Sequence, residues 1–495
     1  MNQRKIKPTI MVVDIGTSSI KTSLFDLKGN LLPEFSIKIE HQIISKNDGT
    51  SEQNSEFLAN KVENSIDLIL EKISSLDIEI LGVGLDCMAS TLVGLDKKGL
   101  PITPTFTYAD TRSNNQVKKI NENFDLISLH QETGVTQHTS YIPSKILWIK
   151  EENPNLYNKI EKFVDFSSYL YSRWFENYNF KSSYSISAWS GLLDKNKLEW
   201  HSKLLDYLEL SPNNFPELNP CTFFYKGLKK SFRNRWQTLL NSNFYLSVGD
   251  GIAANIGSGC INSSKIALTI GSTGAMRILI DKHIKIPKGL WAYRFLTDQT
   301  LLGGSFSEGG NLIQWAYNNL KLPKIEKLNH YLSDSIPGDH GIEVLPFLLG
   351  ERSMGWTNDS KGTISGLSFS NSPLEIMQSI LESLCYRFFL LYKELLPFVN
   401  SKFEIIASGG AIKNFPWWIQ TMSDVLGNDI KISDESQDTS RGTALIVSKS
   451  LGEISDFDEI DNKYNKVYHP NKSNYEIHQK LISSHVKLYD KIVDN

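Results

Sequence analysis

Cysteine is scarce in this chain, with 4 among 495 residues, at positions Cys87, Cys221, Cys260 and Cys385. No two form a CxxC pair and no histidine stands near them at zinc spacing, which excludes a disulfide-stapled scaffold and an ordinary zinc site. They read as reduced, buried thiols. An excess of charge of one sign is also missing, since 52 Lys and Arg against 55 Asp and Glu leave a net charge of -3. With no basic stripe interleaved with aromatics, nucleic acid is not an expected partner. Long hydrophobic runs are absent too, none approaching the ~20 apolar residues that cross a bilayer, so no membrane partner is expected. Arg4, Lys5 and Lys7 precede an apolar run that superficially resembles a signal peptide, but Asp14 cuts it short and no small-residue cleavage site follows. The expected location is cytoplasmic, and the sequence carries no signal for an oligomeric state.

What is present is the composition of a globular protein, 40% hydrophobic and 22% charged, in a chain long enough for two large domains or three smaller ones. Strand-like alternation through Leu24-Phe-Asp-Leu, a turn at Lys28-Gly29-Asn30 and a further strand predict an antiparallel meander. Phe57, Leu58, Val62, Ile66, Ile69 and Leu70 recur at helical spacing and predict a helix from about Glu52 to Leu76. The apolar run Ile78 to Leu85 then reads as a buried strand. The stretch from about Asp125 to Tyr245 is aromatic-rich and less regular, like an insertion, with helices expected near Lys145 to Glu151 and Ser167 to Trp174. Near Asp250 a strand gives way to a Gly/Ala-rich helix. In the second half the strand Phe403 to Ala407 meets a Ser-Gly-Gly turn, and a helix from about Pro416 ends at Gly427, with Pro early and Gly late as helix termini prefer. Strands alternating with helices imply an α/β architecture.

One pattern occurs twice. Met11-Val-Val-Asp-Ile-Gly-Thr-Ser-Ser-Ile-Lys21 and Leu268-Thr-Ile-Gly-Ser-Thr-Gly-Ala-Met-Arg277 each read as an apolar strand, a tight turn of Gly, Ser and Thr, and a second strand. Backbone N–H groups and hydroxyls in such a turn can converge on an anion, phosphate above all. Two such hairpins, one per half, suggest a clamp on nucleotide phosphates across a shared cleft.

Several residues near these turns could carry chemistry. Asp14 closes the first strand, where its carboxylate could hold Mg²⁺ through water, or could only hydrogen-bond the turn. Lys21, on the opposing strand beyond Thr17, Ser18 and Ser19, could reach a transferring phosphoryl group or be a solvated surface lysine. Asp250, between Gly249 and Gly251, could be a helix N-cap, or a base accepting a substrate hydroxyl's proton during phosphoryl transfer. Gly409 and Gly410, with Ala411 and Asn414, permit close backbone approach to a ligand or serve a purely structural turn. Asp110 and Arg112 could bind sugar hydroxyls and a carboxylate, or form a salt bridge within their loop.

Four blocks in order, Asp14-Ile-Gly-Thr-Ser-Ser, Gly249-Asp250-Gly251, Ile270-Gly-Ser-Thr-Gly and Ser408-Gly-Gly-Ala, resemble the FGGY family of carbohydrate kinases, and the resemblance covers nearly the whole chain. It implies two actin-like ATPase (ribonuclease H-like) domains around a central cleft. The first, residues 8–258, would be an N-terminal FGGY-type domain with sugar-binding insertions; the second, residues 259–495, would contribute most of the nucleotide site. ATP and Mg²⁺ are the implied cofactors, with Asp14 at the metal. Thr17, Ser18, Lys21, Gly271, Ser272 and Thr273 would serve the phosphates, Gly409, Gly410, Ala411 and Asn414 would border the adenosine, and Asp250 would be the catalytic base. The blocks Tyr108-Ala-Asp-Thr-Arg-Ser, Thr133-Gly-Val, Ser140-Tyr-Ile-Pro-Ser-Lys145, Asn255-Ile-Gly-Ser-Gly-Cys260, Gly303-Gly, Gly309-Gly-Asn311 and Gly350-Glu-Arg-Ser353 are most similar to the gluconate kinases of that family.

The departures fall where the acceptor is chosen. Gluconate-type relatives usually carry a Trp-His pair where this chain has Ala89-Ser90, and a Trp where it has Tyr108. Losing a ring and an imidazole enlarges the pocket and removes a donor, changes that can redirect specificity. The second hairpin has Ser272-Thr273 in place of the more usual Thr-Ser, and both hydroxyls survive. The polar residues left for the acceptor are Ser90, Tyr108, Asp110, Arg112, Tyr141, Lys145 and Asp250, while Glu351-Arg352 reads as an interdomain structural pair. The expected reaction is ATP-dependent phosphorylation of a primary hydroxyl on a small sugar acid, gluconate first, with a pentulose (xylulose or ribulose) or polyol as the alternative acceptor. A rival of another class is an actin- or Hsp70-like nucleotide-dependent switch, which shares the duplicated fold.

Overall fold

A computed structural model describes residues 7–493 apart from 177, 282–283, 358, 435–436 and the side chain of Lys413. Two seven-stranded sheets form its framework. In the N-terminal sheet the apolar strand Lys7–Ile15 is central. Ser19–Phe25 and Leu31–Glu40 extend it as the predicted antiparallel meander, and Ile78–Cys87 pairs with its other side in parallel. Asn243–Tyr245 and Val248–Gly249 continue that parallel side. The C-terminal sheet repeats the plan. Lys265–Ile270 is central, with antiparallel Gly274–Ile280, Thr300–Phe306 and Trp291–Arg294 on one side and parallel Glu404–Ser408 and Ile430–Ser433 on the other.

Local chemistry explains the helices that cover the sheets. Ser55–Ile73 starts where the Asn54 side chain accepts the Phe57 N–H, and it buries Leu58, Val62, Ile66 and Ile69 on one face against the N-terminal core. Pro373–Leu395 opens with Pro at its first turn and a reciprocal capping box between Ser372 and Glu375, then runs through the C-terminal core, buried without a break from Met377 to Phe388. Pro416–Leu426 ends at Gly427, which adopts the left-handed conformation at φ +65°. The aromatic-rich middle of the chain builds short helices, among them Ile142–Glu152 and Phe166–Trp174, around a core of its own that includes Phe106, Ile146, Phe163 and Phe215.

The helix Asp438–Leu451 lies late in the chain yet packs on the N-terminal sheet. Gly82 and Gly84 make this possible, because a Cβ at either position would fall 2.7 Å from Val447. The same helix crosses Asp250–Gly257 at backbone contact. A Cβ on Gly257 would stand 1.7 Å from the Asp438 carbonyl oxygen, and one on Gly442 would stand 1.8 Å from that of Ala253. All four cysteines are buried. Among the described residues, no helix is long and apolar enough to cross a membrane.

Candidate active site

The first hairpin closes with Gly16 N–H donating to the Ser19 carbonyl at 3.0 Å, which leaves Thr17 and Ser18 exposed at the tip. His41 braces it twice, its backbone N–H on Ser18 O at 3.0 Å and its ring Nε2 on Gly16 O at 2.9 Å. Burial lowers the His41 pKa, so the neutral ring donates to that carbonyl. Asp14 and Lys21 are cross-strand partners, and the Lys21 ammonium reaches Asp14 Oδ2 at 3.2 Å. Lys21 is therefore engaged with the carboxylate beside the turn, where the sequence pointed it at a phosphoryl group.

On the other side of Asp14, in parallel register, stands Asp86. It is fully buried, accepts the Thr443 hydroxyl at 2.8 Å on Oδ2, and has no partner for Oδ1 among the described residues. Burial, and then the neighbouring Asp14 charge, raise its pKa well above the usual carboxylate range. Among the described residues, no three His, Cys, Asp or Glu side chains gather to hold a metal by themselves. Mg²⁺ takes one or two carboxylates and fills its other positions with water and phosphate oxygens. Asp14 is the carboxylate such a set would use, with the buried Asp86 carboxyl behind it.

In the second hairpin Gly271 N–H donates to Thr273 O at 2.9 Å, and the turn is held from behind by backbone alone. Gly310 N–H reaches Gly271 O at 2.8 Å and Asn311 N–H reaches Ser272 O at 3.2 Å. Gly409, at φ +112°, lies so close that a Cβ would stand 2.3 Å from Ile270 O. The short helix Gly410–Lys413 follows, with Ala411 against Gly310 and Asn414 exposed just beyond. The structure thus brings Gly271, Ser272, Thr273, Gly409, Gly410, Ala411 and Asn414 to one neighbourhood, Ser272 being exposed at the tip.

A cavity of about 240 Å³ lies between the halves. Ala89, Ser90, Tyr108, Trp189 and Asp250 line it from one side, and Thr273, Arg277, Trp291 and Arg352 from the other. Its aromatic wall is continuous, since Trp189 stacks on Tyr293 at 3.8 Å and Tyr293 on Trp291 at 4.3 Å. The glycines flanking Asp250 have a steric reason in that wall. A Cβ at Gly249 would fall 2.6 Å from the Trp189 indole nitrogen, and one at Gly251 would fall 2.8 Å from its ring.

Asp250 opens the helix Asp250–Gly257 without capping it. Gly249 holds the cap position, and the Asp250 carboxylate accepts only the next residue's N–H, at 2.7 Å. It is exposed to the cavity, with the cavity walls packed around it. Desolvation there pushes its pKa up to about 6, against the opposing pull of the Arg277 guanidinium. A carboxylate so placed is ionised at neutral pH and can accept a hydroxyl proton.

Four residues expected on the acceptor side do not line this cavity. Arg112 binds Asp110 through Nε and Nη2, the latter at 2.6 Å, pairs with Glu52 as well, and lies over the Trp148 ring at 4.6 Å. Asp110 also takes the Ser51 N–H at 2.9 Å, so the loop-stabilising alternative accounts for both side chains. The Tyr141 hydroxyl pairs with that of Tyr293 at 2.8 Å behind the aromatic wall, and burial pushes its pKa up to about 12. Lys145 is buried with its ammonium on the Thr139 and Tyr141 carbonyls, and burial pushes its pKa down to about 7. Ser90 does line the cavity, at φ +58°, with its hydroxyl proton given to Trp189 O at 2.5 Å.

Glu351 and Arg352 part company. Glu351 binds Arg387, and Tyr489 donates to it at 2.7 Å, all within the C-terminal half. Arg352 faces the cavity, its guanidinium over the rings of Tyr108 at 5.8 Å and Trp356 at 5.9 Å. Sequence reasoning missed Asp86, Arg277, Trp189 and Trp291. The first two had a signal, an acid ending the apolar strand that neighbours Asp14 and an arginine inside the apolar run Ala275 to Ile280. The tryptophans had none, because their loop and edge strand meet only in three dimensions.

Residues 9–257 match the N-terminal domain of the FGGY family of carbohydrate kinases, and residues 267–450 match its C-terminal domain. A gluconokinase of Bacillus subtilis is 24% identical over 468 residues, covering 92% of this chain and 90% of that protein. A xylulose kinase of Staphylococcus xylosus is 24% identical over 494 residues, covering 97% and 99%. The solved gluconate kinase and ligand-bound xylulose kinase of Lactobacillus acidophilus each share the fold at a TM-score of 0.90 and 22% identity, over 98% of both chains. The chain therefore belongs to the FGGY family of carbohydrate kinases and is a sugar kinase, a phosphotransferase built from two actin-like, ribonuclease H-like domains.

Proposed function

We propose that this kinase transfers the γ-phosphoryl group of ATP to the primary hydroxyl of a sugar acid, gluconate being the first candidate. The observation that carries the acid is a pair of cations in the acceptor cavity, Arg277 and Arg352, neither of which has an ion-pair partner among the described residues. With an uncharged ketose the lining offers these two guanidinium groups one carboxylate, Asp250, which attracts Arg277 without bonding to it. The carboxylate of a sugar acid adds a second.

In this reading the acceptor lies along the Trp189–Trp291 wall with its terminal hydroxyl at Asp250. The hydroxyl oxygen bonds to the γ-phosphorus as the bond to the bridging β-oxygen breaks. ADP departs, and the hydroxyl proton passes to the Asp250 carboxylate. The tips Thr17–Ser18 and Ser272–Thr273 cradle the phosphates from opposite sides, and the Gly409–Gly410–Ala411 turn with Asn414 borders the adenosine. Asp14, with Asp86 beside it, would hold Mg²⁺, which when bound neutralises phosphate charge. Residues 8–258 and 259–495 are the two jaws, with the helix Asp438–Leu451 reaching back across the boundary.

A coupled ADP-release assay over aldonates, ketoses and polyols tests the acceptor. Turnover of gluconate well above xylulose, ribulose and glycerol is the expected result. Turnover confined to uncharged ketoses would replace the sugar acid by a pentulose.

A further inference from the structure

We infer that Arg277 reads the acceptor's carboxylate and is the specificity-determining side chain of this kinase, an inference that rests on the sugar-acid reading above. Arg277 sits in the strand Gly274–Ile280, opposite Ala267 on one side and Gly303 on the other. It lies four positions beyond Thr273 at the hairpin tip, roughly 13 Å of extended chain. That sets its backbone back from the hairpin tip, while its guanidinium reaches forward into the cavity at Thr269, which pairs with Ser408.

The side chain is only 6% exposed. Nη2 donates to Thr269 Oγ1 at 2.6 Å, Nε has no partner among the described residues, and Nη1 lies beside Gly251, where a Cβ would approach it to 3.2 Å. Two glycines keep this berth clear. Beyond Gly251, a Cβ at Gly303 would stand 2.9 Å from both Arg277 Cγ and the Trp291 ring. A guanidinium seated so firmly, with donors unused and no carboxylate within ion-pair distance among the described residues, is incomplete until an anion arrives.

Asp250 lines the same cavity and is attracted to Arg277 without bonding to it. An acceptor lying between them has its carboxylate at one end and its reacting hydroxyl at the other, so one contact selects the acid and presents the far hydroxyl to the base. Arg352 is seated differently. It is half-buried and rests on the faces of Tyr108 and Trp356, and it lacks the hydroxyl anchor that orients Arg277. The one serine at the cavity's N-terminal wall, Ser90, has already given its proton to Trp189 O.

The test is the ratio of kcat/KM for gluconate to kcat/KM for sorbitol, which has a hydroxymethyl group in place of the carboxylate. It is measured in the wild type and in Arg277→Gln, Arg277→Lys and Arg352→Gln. Arg277→Gln is expected to lower the ratio at least about 30-fold, the loss that follows from truncating one partner of a buried charge pair, mainly through KM for gluconate. Arg277→Lys should recover part of it, because an ammonium restores the charge without the planar fork. A ratio that survives in Arg277→Gln, or that falls in Arg352→Gln instead, overturns the assignment while leaving the sugar-acid reading standing. A wild type that phosphorylates only uncharged acceptors removes both. Should Arg277→Gln fail to fold, Arg277→Lys gives the same readout: a lowered ratio supports the assignment and an unchanged one overturns it.

Discussion

The helix Asp250–Gly257 follows the parallel side of the N-terminal sheet, and Asp438–Leu451 follows the matching strand, Ile430–Ser433, of the C-terminal sheet. Both begin with aspartate, and they cross at Gly257 and Gly442. Their first residues have opposite surroundings. Asp438 takes a hydrogen bond from the Ser433 hydroxyl at 3.3 Å, and its carbonyl covers Gly257. Asp250 has glycines on either side, a tryptophan pressed against both, and open cavity before its carboxylate. The two halves offer the same position twice; one carboxylate opens on a cavity and the other is tied to its neighbouring strand. The hairpins diverge likewise, the first braced by the His41 ring and the second by the backbones of Gly309, Gly310 and Gly409.

The comparison breaks most severely at the crossing itself. Gly442→Ala puts a methyl group 1.8 Å from a backbone oxygen that has no room to retreat, and the expected outcome is loss of cooperative folding, read by calorimetry or chemical denaturation. Next in size is the contrast between the two aspartates. Asp250→Asn should lower kcat by about 10²- to 10⁴-fold with ATP affinity retained. Asp438→Asn should cost about 1 kcal/mol of stability and little turnover, so steady-state kinetics beside a melting curve separates base from support.

The pH profile sharpens the same contrast. As the proposed base Asp250 acts when ionised, and desolvation has pushed its pKa up to about 6. The acid limb of kcat/KM should therefore bend near pH 6 and fall about tenfold per unit below it. An acid limb bending near pH 4 would mean that another group is the base. Smaller still is the difference between the hairpins. Gly409→Ala forces a side chain into φ +112° against Ile270 O and should introduce about 1–3 kcal/mol of strain, seen as a raised KM for ATP. His41→Ala removes one hydrogen bond to Gly16 O and should cost only about 1 kcal/mol by the same assay.

Much of the framework was legible because it depends on short-range rules. The helix expected at Glu52 to Leu76 is Ser55–Ile73, the strand expected at Ile78 to Leu85 is Ile78–Cys87, and Gly427 ends its helix as predicted. Both hairpins, the open carboxylate at Asp250 and the Gly409 turn were legible for the same reason, since each is a local arrangement of Gly, Ser, Thr and Asp. The lining of the cavity was not. Asp110, Arg112, Tyr141 and Lys145 have the right chemistry, yet Asp110, Arg112 and Lys145 find partners inside the N-terminal half, Tyr141 pairs with Tyr293 of the other half, and none of the four lines the cavity. Arg277 and Arg352 have no special spacing, and they face the cavity with no ion-pair partner among the described residues.

By itself the sequence determined the duplicated α/β plan, the two Gly/Ser/Thr turns and the open aspartate between two glycines, because hydrogen bonding and hydrophobic periodicity within a few residues dictate them. Tertiary structure alone decided which charges stay unpaired at the cleft. A charge is available to a ligand only when the packed chain offers it no nearer partner, and that depends on residues brought together from both halves.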